Sequence, residues 1–321
     1  MGLETRFTRA FGLRHPIALA PMAGVAGGQL AGAVARAGGL GLLGGGYGDA
    51  AWIAEQVPLA GAEETGIGFI TWRLTEALLH EALERRPKAV MLSFGGLQPF
   101  AAQIRAAAVP LMAQVQDLAA AKAAVEAGAD VIVAQGAEAG GHGATRATFT
   151  LVPEVADYLA AHAPGTILLA AGGIADGRGL AAALMLGAEG VLIGSRFWAA
   201  QEALVPRGFH AAALDATGDQ TLRGSVPDAA RMLHWPAPFT IRTMESEFTA
   251  RWQSNAEALR DPAQAPARLA WAAAQAKGDA RSGTPVVGEA VGLIRDIAPA
   301  AEILDRITTE ALSCLNAQRR G

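Results

Sequence analysis

DVIVAQGAEAGGHGAT, from Asp130 to Thr145, decides the fold. It begins as a β-branched apolar run and ends in a glycine-rich loop that carries one histidine, His142. A rigid strand opening into a flexible loop with a titratable ring is how a catalytic group is mounted at the end of a barrel strand. Seven further apolar runs of strand length surround it: PIALAPMA at 16–23, GLGLLGG at 39–45, GIGFITW at 66–72, AVMLSFG at 89–95, PLMAQVQ at 110–116, TILLAAGG at 166–173 and GVLIGSRF at 190–197. The segments between them, such as DLAAAKAAVEAGA and DGRGLAAALMLGA, space apolar residues at i, i+3 and i+4 and end in glycine, as helices do.

Continuous apolar strands are buried on both faces, which parallel strands joined by crossover helices require. Eight such units predict an α/β chain folded as a TIM (β/α)8 barrel. A doubly wound open sheet would show a G-x-G-x-x-G turn after its first strand, where this chain has PMAGVAGG. From about Val205 the pattern changes, and prolines punctuate segments such as MESEFTARWQSNAEALR. The expected organisation is a barrel over 1–205 and a smaller, mainly helical insertion domain over 206–285, lying as a lid. C-terminal helices over 286–321 then pack back on the barrel, with Arg319 and Arg320 favoured by the last helix dipole.

Composition narrows the function. Hydrophobic residues make up 51% and charged residues 17%, enough to bury a large core and too apolar for a disordered chain. A formal net charge of −4, with no dense basic face, excludes a phosphodiester backbone as an expected partner. The single cysteine, Cys314, rules out an internal disulfide or a multi-cysteine metal cluster. No signal-like apolar segment and no run of about 18 apolar residues appear, so a cytoplasmic protein that neither enters nor spans a membrane is expected. A homodimer is compatible with the sequence but not required by it.

Barrel active sites lie at the C-terminal strand ends, and phosphates often sit on the loops after strands seven and eight. Both loops here bear glycine: Gly172 and Gly173 in one, Gly194 beside Ser195 in the other. Uncovered main-chain N–H groups bind a phosphate dianion without lysine, although tight turns alone would also explain either pair. After the first strand, Pro21, Met22, Ala23 and Gly24 offer small residues and backbone for a flat ring system, or a core methionine and a turn. His142, among Gly140, Gly141 and Gly143, has no side-chain wall to make it a packed core residue, and it titrates near neutral pH. Glu138 either orients that ring, hydrogen-bonds a neighbouring loop or, the commoner outcome for such a residue, is a solvated loop carboxylate. Ser195 lacks a G-x-S-x-G elbow, which argues against acyl-enzyme chemistry. The other five histidines show no metal-ligand spacing.

Together PMAGVAGG, GGLGLLGGG, AQGAEAGGHG, AAGGIADGRG and GAEGVLIGSRF resemble the nitronate monooxygenase family, formerly 2-nitropropane dioxygenases, and the related flavin-containing enoyl-ACP reductases. The resemblance covers roughly Pro16 to Phe197. It implies non-covalent FMN, with Met22, Ala23 and Gly24 against the isoalloxazine and Ala20 and Pro21 also binding the cofactor. It also implies that Gly172, Gly173, Gly194 and Ser195 hold the phosphate, that Gly140, Gly141 and His142 line the reactive face, and that Gln135 and Ala139 join the cofactor-binding residues. Gln114 falls near the ring where relatives often carry lysine, and Gly68 where many carry asparagine. A neutral amide stabilises an anionic reduced flavin less than an ammonium does. The implied activity is oxidation of a small-molecule alkyl nitronate with oxygen as acceptor. Its rivals are an NAD(P)H-dependent reductase of an enoyl thioester or quinone and a non-catalytic flavin-binding barrel.

Overall fold

The computed structural model describes residues 3–61 and 65–317. Among the described residues eleven strands occur in chain order: β1 Ile17–Leu19, β2 Leu42–Gly46, β3 Gly66–Ile70, β4 Val90–Ser93, β5 Leu111–Val115, β6 Val131–Gln135, β7 Gly141–Gly143, β8 Ile167–Ala171, β9 Gly190–Ile193, β10 Thr221–Gly224 and β11 Thr240–Met244. Eight of them form one parallel sheet in the order β1-β9-β8-β6-β5-β4-β3-β2. The sheet closes where the Leu19 N–H donates to the Leu40 carbonyl and the Leu40 N–H to that of Ile17, each at 2.9 Å. The molecule is thus a TIM barrel, and each of the eight apolar runs coincides with one of its strands, β2 ending one residue beyond its run.

Period-two alternation sorts the side chains of each strand. Ala18, Leu42, Met91, Met112, Val131, Val133, Leu169 and Leu192 fill the barrel interior, and Phe7 and Phe11 pack against them. Their neighbours Ile17, Leu19, Leu43, Leu92, Ile132 and Ile193 point outward beneath the helices. Each fully buried Leu or Ile contributes about 1.5–3 kcal/mol relative to exposure. The tightest strand–helix contacts use glycine: a Cβ at Gly41 would overlap the Ala31 carbonyl of helix Gly28–Arg36. The helix Ala300–Ala317 lies along Gly177–Met185, whose Gly177 N–H donates to the Glu310 carboxylate at 2.8 Å. Arg319 and Arg320 lie outside the described residues. No helix among the described residues is long and apolar enough to cross a membrane.

The segment after the barrel carries helices such as Arg207–Asp215 and Ala265–Lys277. It also contains β10 and β11, which no alternating sequence pattern marks. With β7 they form a three-stranded antiparallel sheet, in which Ile241 of β11 sits opposite His142 of β7. The loop after β6 is therefore a strand held by the insertion, not a flexible one.

Candidate active site

Strand ends of the barrel, the β7 loop and the insertion enclose a cavity of about 230 Å³. Ala20, Pro21, Met22 and Ala23 line it from the β1 loop, and Gln114 and Gln135 from the ends of β5 and β6. Ala139, Gly140, Gly141 and His142 face it from the next loop; Gly172, Gly173, Gly194 and Ser195 do so from the loops after β8 and β9. Gly24 does not line the cavity. It takes φ +69° in the turn leading to helix Gly28–Arg36, a backbone role.

The two glycine loops present unused donors. Neither the Gly173 N–H nor the Ser195 N–H meets a protein acceptor among the described residues. Gly173 has φ +74°, which favours glycine. A Cβ on Gly194 would touch only Ala20 Cβ and Met22 Sδ, at 3.7 and 3.8 Å, so the surface there is open cavity. Ser195 Oγ accepts from the Gly288 N–H at 2.8 Å and keeps its own proton to donate.

The β7 loop is pinned from several sides. Half-buried Arg223 donates to the carbonyls of Thr240, Ala139 and Ala137 at 2.6, 2.9 and 3.0 Å, and Arg242 Nε to that of Ala137 at 3.1 Å. Burial is the main reason that the Arg223 guanidinium titrates at about 10, helped by nearby Arg242. The Glu138 carboxylate accepts from the Thr148 N–H and Oγ–H at 3.0 and 2.9 Å, so it orders the neighbouring helix start and does not orient the histidine. A Cβ on Gly140 would overlap the Val287–Gly288 backbone, which packs the C-terminal segment on this loop.

His142 is 8% exposed. Its Nε2 lies 2.9 and 3.1 Å from the two oxygens of Asp228, itself 2% exposed, and Arg231 donates to one of those oxygens at 3.0 Å. The Trp235 indole stacks on the imidazole with centroids 3.3 Å apart and planes at 10°, and its N–H donates to the Tyr47 hydroxyl at 3.0 Å. Phe94, at φ +65°, sets its ring 6.1 Å away edge-on. Sequence reasoning missed all of these partners. The available signals were a lone carboxylate in the apolar VPDAA and the aromatic–proline run HWPAPF. Gln135 is oriented by donating to the His142 carbonyl at 3.0 Å, while its oxygen accepts from Gln114 and Gln116 at 3.1 and 2.9 Å. Gln114 thus holds an amide network. Gly68 also has a local cause, since a Cβ there would overlap the Pro21 ring.

The His142 pKa is lowered, chiefly by burial; Asp228 opposes the shift by hydrogen bond and charge, and Arg231 and Arg223 add to it. His15 is lowered too, chiefly by burial and then by Arg14. Both rings are neutral in the fold at pH values where an unfolded histidine, with a pKa near 6.5, already binds a proton. Their stabilising contribution is therefore full above about pH 6.5 and is lost as pH falls through the folded-state values. Melting temperatures should decline below pH 6.5, and less steeply in His142→Gln, by up to about 1.4 kcal/mol per pH unit. Equal slopes for the two proteins would contradict this.

The nitronate monooxygenase family model matches residues 64–310. A nitronate monooxygenase of Metarhizium robertsii, npaC, is 36% identical over 92% of this chain and 90% of its own length. Among solved structures, FabK from Thermotoga maritima superposes with a TM-score of 0.84 at 28% identity, covering 99% of each chain. A nitroalkane oxidase from Streptomyces ansochromogenes gives 0.82 at 25% identity, over 97% of this chain and 99% of its own. With the barrel, the family match over most of its length and a relative of this identity, the chain belongs to the nitronate monooxygenase family of flavin-dependent oxidoreductases.

Proposed function

We propose that the chain binds FMN in this cavity and oxidises alkyl nitronates with oxygen as acceptor. One observation carries the reading: a buried imidazole on the cavity wall, tied at Nε2 to a carboxylate and open at Nδ1. The free N–H groups of Gly173 and Ser195 and the bare Gly194 surface fit a phosphate, and the small residues Ala20 to Ala23 fit a flat ring. Bound there, FMN would take electrons from the substrate and deliver them to oxygen.

The protein's own groups handle binding and protons. Neutral His142 can accept the α-proton of a nitroalkane at Nδ1 and, once charged, donate to a nitro oxygen. Tyr47 and Phe94 give the cavity apolar walls that reduce water around the carbanion. Mixing the purified protein anaerobically with propionate 3-nitronate should bleach the flavin absorbance. Saturating nitronate that leaves the spectrum unchanged would sink the reading.

Similarity to FabK supports a second reading, an NAD(P)H-dependent reductase of an enoyl thioester or quinone. Here the insertion argues the other way. Arg223 and Arg242 are half-buried and bonded to carbonyls and Glu289, and Arg231 is paired with Asp228, so these three do not form an unpaired basic face for an acidic carrier protein. Bleaching by NADH or NADPH but not by nitronate would reverse the order.

A further inference from the structure

We infer that Asp228, supplied by the insertion, is a positioning residue that fixes the tautomer of His142 and so makes Nδ1 the base that faces the cavity. Asp228 sits on the short helix Val226–Ala230, 86 residues downstream of the histidine, yet it is the buried polar partner of that ring. A carboxylate only accepts, so the ring nitrogen facing it carries the proton. That nitrogen is Nε2. The other, Nδ1, meets no protein partner among the described residues and is not sealed from solvent, so its lone pair stays available.

The surroundings hold this arrangement. Arg231 is anchored by donating from Nε to the Pro227 carbonyl at 3.1 Å, and from Nη2 to Asp228 Oδ1 at 3.0 Å. Trp235 covers one face of the imidazole and is itself tied to Tyr47. The ring therefore cannot turn about its Cβ–Cγ bond without breaking both the Asp228 contact and the stack. The proton transfer is simple in balance: the α-carbon proton moves to Nδ1, and the C–H electron pair becomes the carbon–nitrogen double bond of the nitronate.

Asp228→Asn separates this role from a structural one. Arg231 donates to Oδ1, so the amide oxygen of the replacement side chain would take that position. The amide nitrogen would then occupy the Oδ2 position, the one 2.9 Å from Nε2. Its N–H would donate to Nε2 and drive the ring proton to Nδ1, where it blocks the base. An asparagine at the equivalent carboxylate of a serine protease acts by this wrong-tautomer route and lowers kcat by about 10⁴.

The experiment uses the flavin-loaded full chain. Nitrogen-15 NMR of labelled histidines at pH 8, with the His142 signal assigned by its loss in His142→Gln, should show an Nε2–H tautomer in the wild type and a shift to Nδ1–H in Asp228→Asn. An Nδ1–H wild type overturns the inference even if the variant does not fold, and so does a tautomer that the substitution leaves unmoved. The kinetic arm rests on the nitronate reading. The rate with neutral nitroethane should fall by about 10²–10⁴, at least about tenfold more than the rate with preformed ethyl nitronate. Equal losses on the two substrates would remove the base from Asp228's influence. If neither nitro substrate reacts in the wild type, the nitronate reading fails while an Nε2–H signal that moves in Asp228→Asn still supports the assignment.

Discussion

His142→Gln is expected to lower turnover of a neutral nitroalkane by about 10²–10⁴, the usual contribution of a positioned acid or base. At about 1.36 kcal/mol per decade this is roughly 2.7–5.4 kcal/mol of transition-state stabilisation. Glutamine is the informative replacement because its amide N–H can still donate to Asp228, which would otherwise lose one of its two partners in a buried site. The β7 register with Ile241 is carried by backbone, so the loop should survive. Flavin content should likewise be retained, because the proposed phosphate donors lie on the loops after β8 and β9. Steady-state kinetics beside the absorption spectrum would check both halves. A variant with full flavin and wild-type rates on nitroethane removes His142 from the mechanism.

Much of this site was legible because it is built from local backbone features. Strand runs such as Val131–Gln135 and Ile167–Ala171 read as parallel strands, since burial on both faces leaves no alternation to find. The glycine loops read as ligand surfaces, since bare N–H groups need no long-range partner to be recognised. Asp228 and Trp235 were illegible for the opposite reason. Their roles exist only because β11 pairs with β7 and brings the insertion onto the barrel mouth. Neither β10 nor β11 shows a clean hydrophobic period: TLRG and TIRTM each carry an arginine that turns inward to hold carbonyls or a hydroxyl. That inward charge disguises a buried strand as a surface one. Gly24 shows how one glycine reads two ways, since the positive φ it supplies to the turn needs long-range context to tell from a ligand surface.

Gly194→Asp should give a folded barrel that purifies without its flavin. The position tolerates a side chain: it follows β9 with φ −100° and ψ −77°, a negative φ at the edge of the right-handed helical region that does not require glycine. A Cβ there meets nothing closer than 3.7 Å. Strain and packing therefore do not predict misfolding. Charge predicts the loss, because a carboxylate placed about 4 Å from a phosphate feels a repulsion of about 4 kcal/mol per pair of unit charges at an effective dielectric of 20. Partial solvent access would reduce this, leaving a weakening of about 10²–10³ in affinity as the expected size. Gly194→Ala is the companion: it adds bulk without charge and should weaken binding far less. Flavin-to-protein absorbance ratios, read with circular dichroism to confirm the fold, decide the matter. If Gly194→Asp retains stoichiometric flavin, the phosphate lies elsewhere in the cavity, and the pairing of the loops after β8 and β9 as its cradle is wrong.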